Sequence, residues 1–265
     1  MLVPDYHLYT IPVWDAYKKE SECPVCELYK VLEQQYLDAA LGGGMMESDI
    51  RLETNAQGFC NKHLRDLYEM QSMLSLALTM HTHLKDVIAG AQKDLDILDA
   101  AIAQEAGLPI AKKAARYLTR GGEIAQASEA LASSAERRQE SCHICGKIDA
   151  NIGRYIDALL HMWREEKEFK KAFAESKGVC MAHLPILTRT ASAKLAGEDR
   201  RQFLGTLVRL QRENLARLEK EIEWFTLKFD YRNTDKPWGN SKDAVPRTLE
   251  KLRGKVLPDK GAKEK

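Results

Sequence analysis

Apolar residues recur at helical spacing along most of the chain. After Pro24, the residues Leu28, Leu32, Tyr36 and Ala39 fall on one face, which predicts a helix to about Leu41. Pro24 suits its first turn, where a missing N–H costs nothing. Gly42-Gly43-Gly44 reads as a helix stop; no Lys-Ser/Thr follows it and no strand precedes it, so it is a poor phosphate loop. A short segment, roughly 46–56, is expected to bring the chain back. From Cys60 to about Ile88 the pattern predicts one helix with two apolar faces. One face carries Leu67, Met70, Leu74, Ala77, His81, Leu84 and Ile88, the other Met73, Leu76, Met80, His83 and Val87. Such a helix is expected to lie buried among others, with His81 and His83 as hydrogen-bonded core histidines.

The pattern continues over 91–106 through Leu95, Leu98 and Ile102 until Gly107 and Pro109 break it. A short helix to Tyr117 is expected to end at Gly121-Gly122, and 123–140 reads as an Ala-, Glu- and Gln-rich helix. Ile148, Ile152, Tyr155, Leu159 and Met162 form the next stripe, followed by a charged helical return from Arg164 to Lys171. Over 199–229, Phe203, Leu207, Leu210, Asn214, Leu218, Ile222, Phe225 and Phe229 recur at spacings of three and four. That is a heptad seam, which fits packing inside the bundle or pairing with a second chain; the intramolecular reading is the simpler one. Residues 1–20, with Tyr6, Tyr9, Trp14, Tyr17, Pro4 and Pro12, read as an extended arm packed on the body. The chain is therefore expected to be all-α.

All six cysteines sit in one pattern that occurs twice. Cys23-Pro-Val-Cys26 is followed by Cys60-Asn-Lys-His63, and Cys142-His-Ile-Cys145 by Cys180-Met-Ala-His183. The gap is 33 residues between Cys26 and Cys60 and 34 between Cys145 and Cys180. Three thiolates and one imidazole make a four-coordinate soft-metal set, most often zinc. Read along the chain, each repeat supplies one complete set. Cys60 and His63 are three residues apart at a helix start, where they share a face and the helix dipole favours thiolate. His143 lies inside a CxxC and competes as a ligand, but His183 is better placed, because His63 is its match while Pro24 stands where His143 does.

The similarity extends beyond the ligands. Tyr36-Leu37-Asp38-Ala39 is matched by Tyr155-Ile156-Asp157-Ala158, Gly58-Phe59-Cys60 by Gly178-Val179-Cys180, and His63-Leu64 by His183-Leu184. These matches predict two duplicated helical modules, 21–106 and 123–229, each with a CxxC…CxxH metal site. Around them lie the N-terminal arm 1–20, a linker region 107–122, a C-terminal clasp 230–253 with a short helix near 243–253, and a tail 254–265 of disordered composition.

Composition narrows the function classes. Forty basic and thirty-nine acidic residues give a net charge of +1, so no global field favours nucleic acid or anionic membrane. The N-terminus has no basic n-region and no long apolar run, and the most apolar stretch, near Met73 to Met80, is too short to span a bilayer. The expected location is the cytoplasm, where paired cysteines hold metal more often than they form disulfides.

The doubled CPVC and GFCxxH motifs about 35 residues apart, with the Phe229-Asp230-Tyr231-Arg232-Asn233 run and the later Trp238-Gly239 and Lys242-Asp243-Ala244, carry a resemblance. The chain resembles an uncharacterised bacterial family of helical proteins with these features, some of whose members bear a transporter substrate-binding label. The resemblance covers about residues 20–253. It implies an all-helical fold and metal binding at the eight Cys and His positions named, and it supplies no activity.

Four chemistries compete for the cysteines: structural zinc, two per chain; an iron–sulfur cluster; a thiol redox switch; and a catalytic zinc with one labile ligand. No βαβ pattern surrounds either CxxC, which speaks against a thioredoxin-type site, and haem attachment is excluded because Glu27 and Gly146 stand where it needs His. No nucleophile–base pair or paired carboxylates stand out. The sequence thus favours a non-catalytic interaction or regulatory module with a protein partner, in which a homodimer is one arrangement. The main alternatives are an iron–sulfur or thiol redox protein, and a small-molecule binder or enzyme. The last would use the polar 230–243 stretch, with Tyr231, Arg232, Asn233, Asp235 and Trp238 as binding residues, unless that stretch only locks the C-terminus to the bundle.

Overall fold

A computed structural model describes residues 7–109, 112 and 122–254. Among them are eleven α-helices and no strand, which makes the fold all-α. In chain order these are α1 (His7–Lys18), α2 (Pro24–Leu41), α3 (Ser48–Gln57), α4 (Asn61–Glu69), α5 (Met73–Ala106), α6 (Glu123–Glu140), α7 (His143–Glu165), α8 (Lys167–Glu175), α9 (Leu184–Lys194), α10 (Gly197–Leu227) and α11 (Ala244–Arg253).

The chain forms two compact units: residues 1–32 with 150–265, and residues 33–149. The second is therefore an insertion between two segments of the first. This division differs from the expected modules 21–106 and 123–229, since each unit draws on both repeats. The expected short helix and linker over 107–122, and the tail, fall largely outside the described residues.

In the first unit the core is aromatic. Trp163, Phe169, Phe173 and Phe203 are buried together with Leu28, Ile156 and Leu159. Phe173 stacks on Phe203 at 4.9 Å, and Trp163 meets Phe203 edge-on at 5.2 Å. From His7 to Lys18 the expected extended arm is a helix. Pro12 removes one N–H from α1, but Trp14 and Tyr17 pack edge-on against Phe169 at 5.1 and 5.0 Å, and Trp14 Nε1 donates to Glu166 at 3.0 Å. Tertiary packing of this kind overrides a weak local preference. The seam of α10 packs inward at Phe203, Leu207, Leu210 and Leu218, whereas Phe229 at its far end is exposed.

In the second unit, α5 packs against α6, α3 and α4. The single helix expected from Cys60 to Ile88 is broken at 70–72, where Gln71 takes φ 60° and closes α4. No Gly or Pro marks this turn in sequence. The double-faced burial expected for α5 also fails: Thr79 and Ala101 are buried, while Leu74, Leu84 and Ile88 are exposed. His81 is exposed as well, whereas His83 is half-buried with its Nδ1 2.8 Å from the Asn55 carbonyl.

Matched positions of the two repeats share local structure. Gly58 and Gly178, two residues before Cys60 and Cys180, take φ 61° and 73°, a region that costs any L side chain. A Cβ on Gly58 would lie 2.7 Å from the His83 ring, and one on Gly178 would lie 2.4 Å from Gln211 Oε1, which accepts the Val179 N–H at 3.0 Å. Gly58→Ala and Gly178→Ala are each expected to lower stability by about 1–3 kcal/mol. Gly205→Ala, inside α10 with nothing within 4 Å of its Cβ position, is expected to raise it by about 0.5–1 kcal/mol. Thermal or urea melts of the three variants check both signs.

Candidate metal centres

All eight predicted ligand residues sit at helix starts. Cys23 precedes α2 and Cys26 lies in its first turn, where the Cys26 N–H returns to the Cys23 carbonyl at 3.0 Å. Cys142 and Cys145 stand in the same way at α7, with the Gly146 N–H on the Cys142 carbonyl at 3.0 Å. Cys60 caps α4 and His63 is in its first turn; Cys180 and His183 enter α9, with the His183 N–H on the Cys180 carbonyl at 3.1 Å. These turns aim both members of each pair to one side, and the helix N-termini favour thiolate there.

The structure brings the eight residues together as two sets of four, but not as one set per repeat. Cys23 and Cys26 of the first repeat meet Cys180 and His183 of the second, while Cys60 and His63 meet Cys142 and Cys145. The CxxC of each repeat thus joins the CxxH of the other, and each set lies wholly within one compact unit. Helix length explains the exchange. At 1.5 Å per residue, α2 carries the chain about 27 Å from its first turn and α3 returns only about 15 Å. The 23 residues of α7 and nine of α8 leave a larger shortfall. His63 accordingly stands beside Glu33, the tenth residue of α2, and not beside Cys26.

The spacing within each set fits one ion. With metal–sulfur bonds of about 2.3 Å and metal–nitrogen bonds of about 2.05 Å, a tetrahedron has S···S edges of about 3.8 Å and S···N edges of about 3.5 Å. In the first set Cys26 and Cys180 sulfurs are 3.7 Å apart, and His183 Nδ1 is 3.6, 3.4 and 3.2 Å from the sulfurs of Cys23, Cys26 and Cys180. In the second, Cys60 and Cys145 sulfurs are 3.9 Å apart, and His63 Nδ1 is 3.3, 3.2 and 3.4 Å from those of Cys60, Cys142 and Cys145. All six cysteines are free thiols. The two sets can each hold a metal ion. His143 is in neither; it packs edge-on to Phe59, 3.5 Å from the Glu53 carboxylate.

The surroundings of the sets differ. In the first, Cys23, Cys26 and Cys180 are buried, and Gly254 lies so close that a Cβ on it would be 3.7 and 3.8 Å from the Cys26 and Cys180 sulfurs. Lys251, only 1% exposed, donates its Nζ to the carbonyls of Lys177 and Glu22. Burial pulls its pKa down, while Glu22 and the nearby cysteines oppose that pull. A divalent ion on three thiolates leaves a net charge of −1, which a buried ammonium offsets. Glu22, next to Cys23 and also 1% exposed, accepts from Arg217 at 2.6 Å and lies 3.4 Å from Arg247. These two arginines also share Glu221, so α10 and α11 are tied to the segment that carries Cys23. Sequence reasoning missed Glu22 and Lys251. The only signals were adjacency to Cys23 for the one and an amphipathic last helix for the other.

In the second set Cys60 and Cys145 are part-exposed. His63 Nε2 lies 3.0 Å from Glu33, whose carboxylate also takes the Lys62 ammonium. A carboxylate on the outer nitrogen fixes the ring so that Nδ1 faces the sulfurs, a recurring support for metal-bound histidine. In each set one thiol ionises ahead of its neighbours: Cys180 is lowered while Cys23 and Cys26 are raised, and Cys142 is lowered while burial raises Cys145. Burial pushes the Cys23 thiol up to about 12, whereas the S–H groups of Cys23 and Cys26 hold Cys180 well down. Burial also opposes ionisation of Cys142, but the His63 ring outweighs it and brings the thiol down to about 6.

The proposed binding stretch turns inward on itself. Lys228 Nζ donates to the carbonyls of Asn233, Thr234 and Lys236 at 2.7, 2.7 and 2.6 Å. Asn233 donates to the Leu227 carbonyl, Arg232 is forked onto Asp230, and Trp238 packs against Phe225 at 5.6 Å. Tyr231 and Asp235 are exposed.

These features define a class: an all-helical protein whose two units each carry a three-cysteine, one-histidine set. Residues 5–259 match the model of a family of unknown function, DUF6062, and the chain belongs to that family. No curated protein and no solved structure matches the chain. Among the described residues, no helix is long and apolar enough to cross a membrane.

The exchanged pairing predicts which cysteines act together. Replacing Cys60 and Cys145, from one set but different repeats, should leave one ion per chain. Replacing Cys26 and Cys60, from one repeat but different sets, should remove both. Elemental analysis of the two double variants against the parent reads the difference. Equal loss in both would contradict the partition.

Proposed function

We propose that this chain is a non-catalytic interaction or regulatory protein of the cytoplasm whose units are each closed by a structural zinc ion. Cys23, Cys26, Cys180 and His183 hold one ion, and Cys60, His63, Cys142 and Cys145 the other. One observation carries the reading: in both sets three sulfurs and one nitrogen stand at the separations of a filled tetrahedron. A filled tetrahedron leaves no position for water or substrate, which is the mark of a structural site. The separations also speak against an iron–sulfur cluster, because ligands on different irons stand further apart than the edges of a single-ion tetrahedron. The inward-turned hydrogen bonds of 228–238 support a clasp that ends α10.

Protein purified anaerobically without added metal should contain two zinc ions per chain and show no visible absorbance. Iron with sulfide, or no metal at all, would overturn the assignment. Glu33→Ala should weaken one of the two ions by about 10–100-fold and leave the other unchanged. Chelator competition resolves the two affinities; a loss of stability with both affinities intact would show that Glu33 serves packing alone.

A further inference from the structure

The two sets present their sulfurs to solvent unequally. In the first, Cys23, Cys26 and Cys180 are at most 3% exposed. In the second, Cys142 and His63 are buried, but Cys60 and Cys145 are only part-buried. The sulfurs of Cys60 and Cys145 stand 3.9 Å apart and form one edge of the tetrahedron. That edge is the solvent side of the set; the opposite edge, from Cys142 Sγ to His63 Nδ1 at 3.2 Å, is buried. Exposure matters here at sulfur and not at the metal. Four donors leave no place on an ion for a further ligand, but a metal-bound thiolate keeps lone pairs and remains a nucleophile. A small electrophilic oxidant need only reach one sulfur. The two within reach come from different repeats and different helix starts, Cys60 just before α4 and Cys145 in the first turn of α7. Neither is the CxxC partner of the other, so oxidation here departs from the local pairing that a CxxC suggests.

Resting on the reading that each set holds a zinc ion, we infer that the second set is a peroxide-responsive release site, in which Cys60 and Cys145 join as a disulfide and the ion is given up. Hydrogen peroxide is the oxidant. One of the two thiolates attacks a peroxide oxygen, the O–O bond breaks, and a sulfenic acid forms with loss of hydroxide. The other thiolate attacks the sulfenic sulfur, the S–S bond forms, and a second hydroxide leaves. Two thiolates have then lost two electrons, and the peroxide, with two protons from solvent, has become two waters. Only Cys142 and His63 remain as donors where there were four. The disulfide ties Cys60 to Cys145, 85 residues apart, in place of the ion, so the same two chain segments stay linked. A dithiol reductant reverses the step by exchange and ends as a disulfide itself. In the first set all three sulfurs are buried, and its ion is retained.

The test uses the full chain as purified, with its zinc counted first. Hydrogen peroxide is added, a chromogenic chelator follows zinc release, and peptide mapping after alkylation locates the disulfide. One zinc per chain should be released, at least about tenfold faster than the other, because access to sulfur sets the rate. Mapping should find Cys60 joined to Cys145, with Cys23, Cys26 and Cys180 still open to alkylation once the protein is denatured. Dithiothreitol with added zinc should restore the starting state. Cys60→Ser with Cys145→Ser, which keeps only the first ion, should release none over the same period. No release, release of both ions together, or any other disulfide, Cys142 to Cys145 included, would overturn the inference and leave the zinc reading standing. A chain that carries no zinc before peroxide is added would overturn that reading, and the inference with it.

Discussion

Burial of thiolate and imidazole groups at four helix starts is the constraint on which the rest of the fold depends. Each unit brings four polar side chains into a space that would otherwise repel them, and unpaired buried charge is costly. A metal ion reverses that cost. Apparent binding energies of structural zinc are about 10–16 kcal/mol, as large as the whole stability of an ordinary domain at about 5–15 kcal/mol. In the first unit an ion held by the set would join Cys26 and Cys180, which are 154 residues apart. In the second it would join Cys60 and Cys145, 85 apart. An ion in each set would thus tie together the distant chain segments that make up each unit.

The exchange of halves between repeats follows from packing and not from chain entropy. Closing loops of about 154 and 85 residues instead of two of about 34 costs about 2 kcal/mol more in total, from the logarithmic dependence on loop length. That is small beside the burial that exchange permits. Local pairing would require α3 to retrace α2 and α8 to retrace α7, and both return helices are too short. The first unit also gains its aromatic core this way. Phe169 and Phe173 on α8 receive Trp14 and Tyr17 from the segment that leads into Cys23.

What was legible in the sequence was what depends on a few consecutive residues. Ligand identity was, because CxxC and CxxH are one-turn spacings that fix two donors on one side of a helix start. Helices α2, α7 and α10 were, because their apolar periods are regular. The partition of ligands was not, because it turns on the difference in length between an outgoing helix and its return, and element ends are the least sharply marked feature of a sequence. The break at Gln71 was invisible for a related reason: a residue other than glycine adopts the left-handed turn, held there by its neighbours. Lys251 and Glu22 could not be found, because a buried charge looks like a surface charge until its partners, 74 to 229 residues away, are known.

The two metal sets share donors yet occupy different electrostatic settings. In the first, a buried lysine and a three-cation cluster around Glu22 surround the thiolates, and the last helix covers them. The three cysteines there are buried, and Gly254 at the end of α11 lies against the Cys26 and Cys180 sulfurs. The second set has two part-exposed cysteines and a single carboxylate–lysine support behind His63. Equal ligands therefore do not imply equal exchange rates. The protein environment would decide which ion is the slower to leave, and burial and charge balance would favour retention of one in the first set.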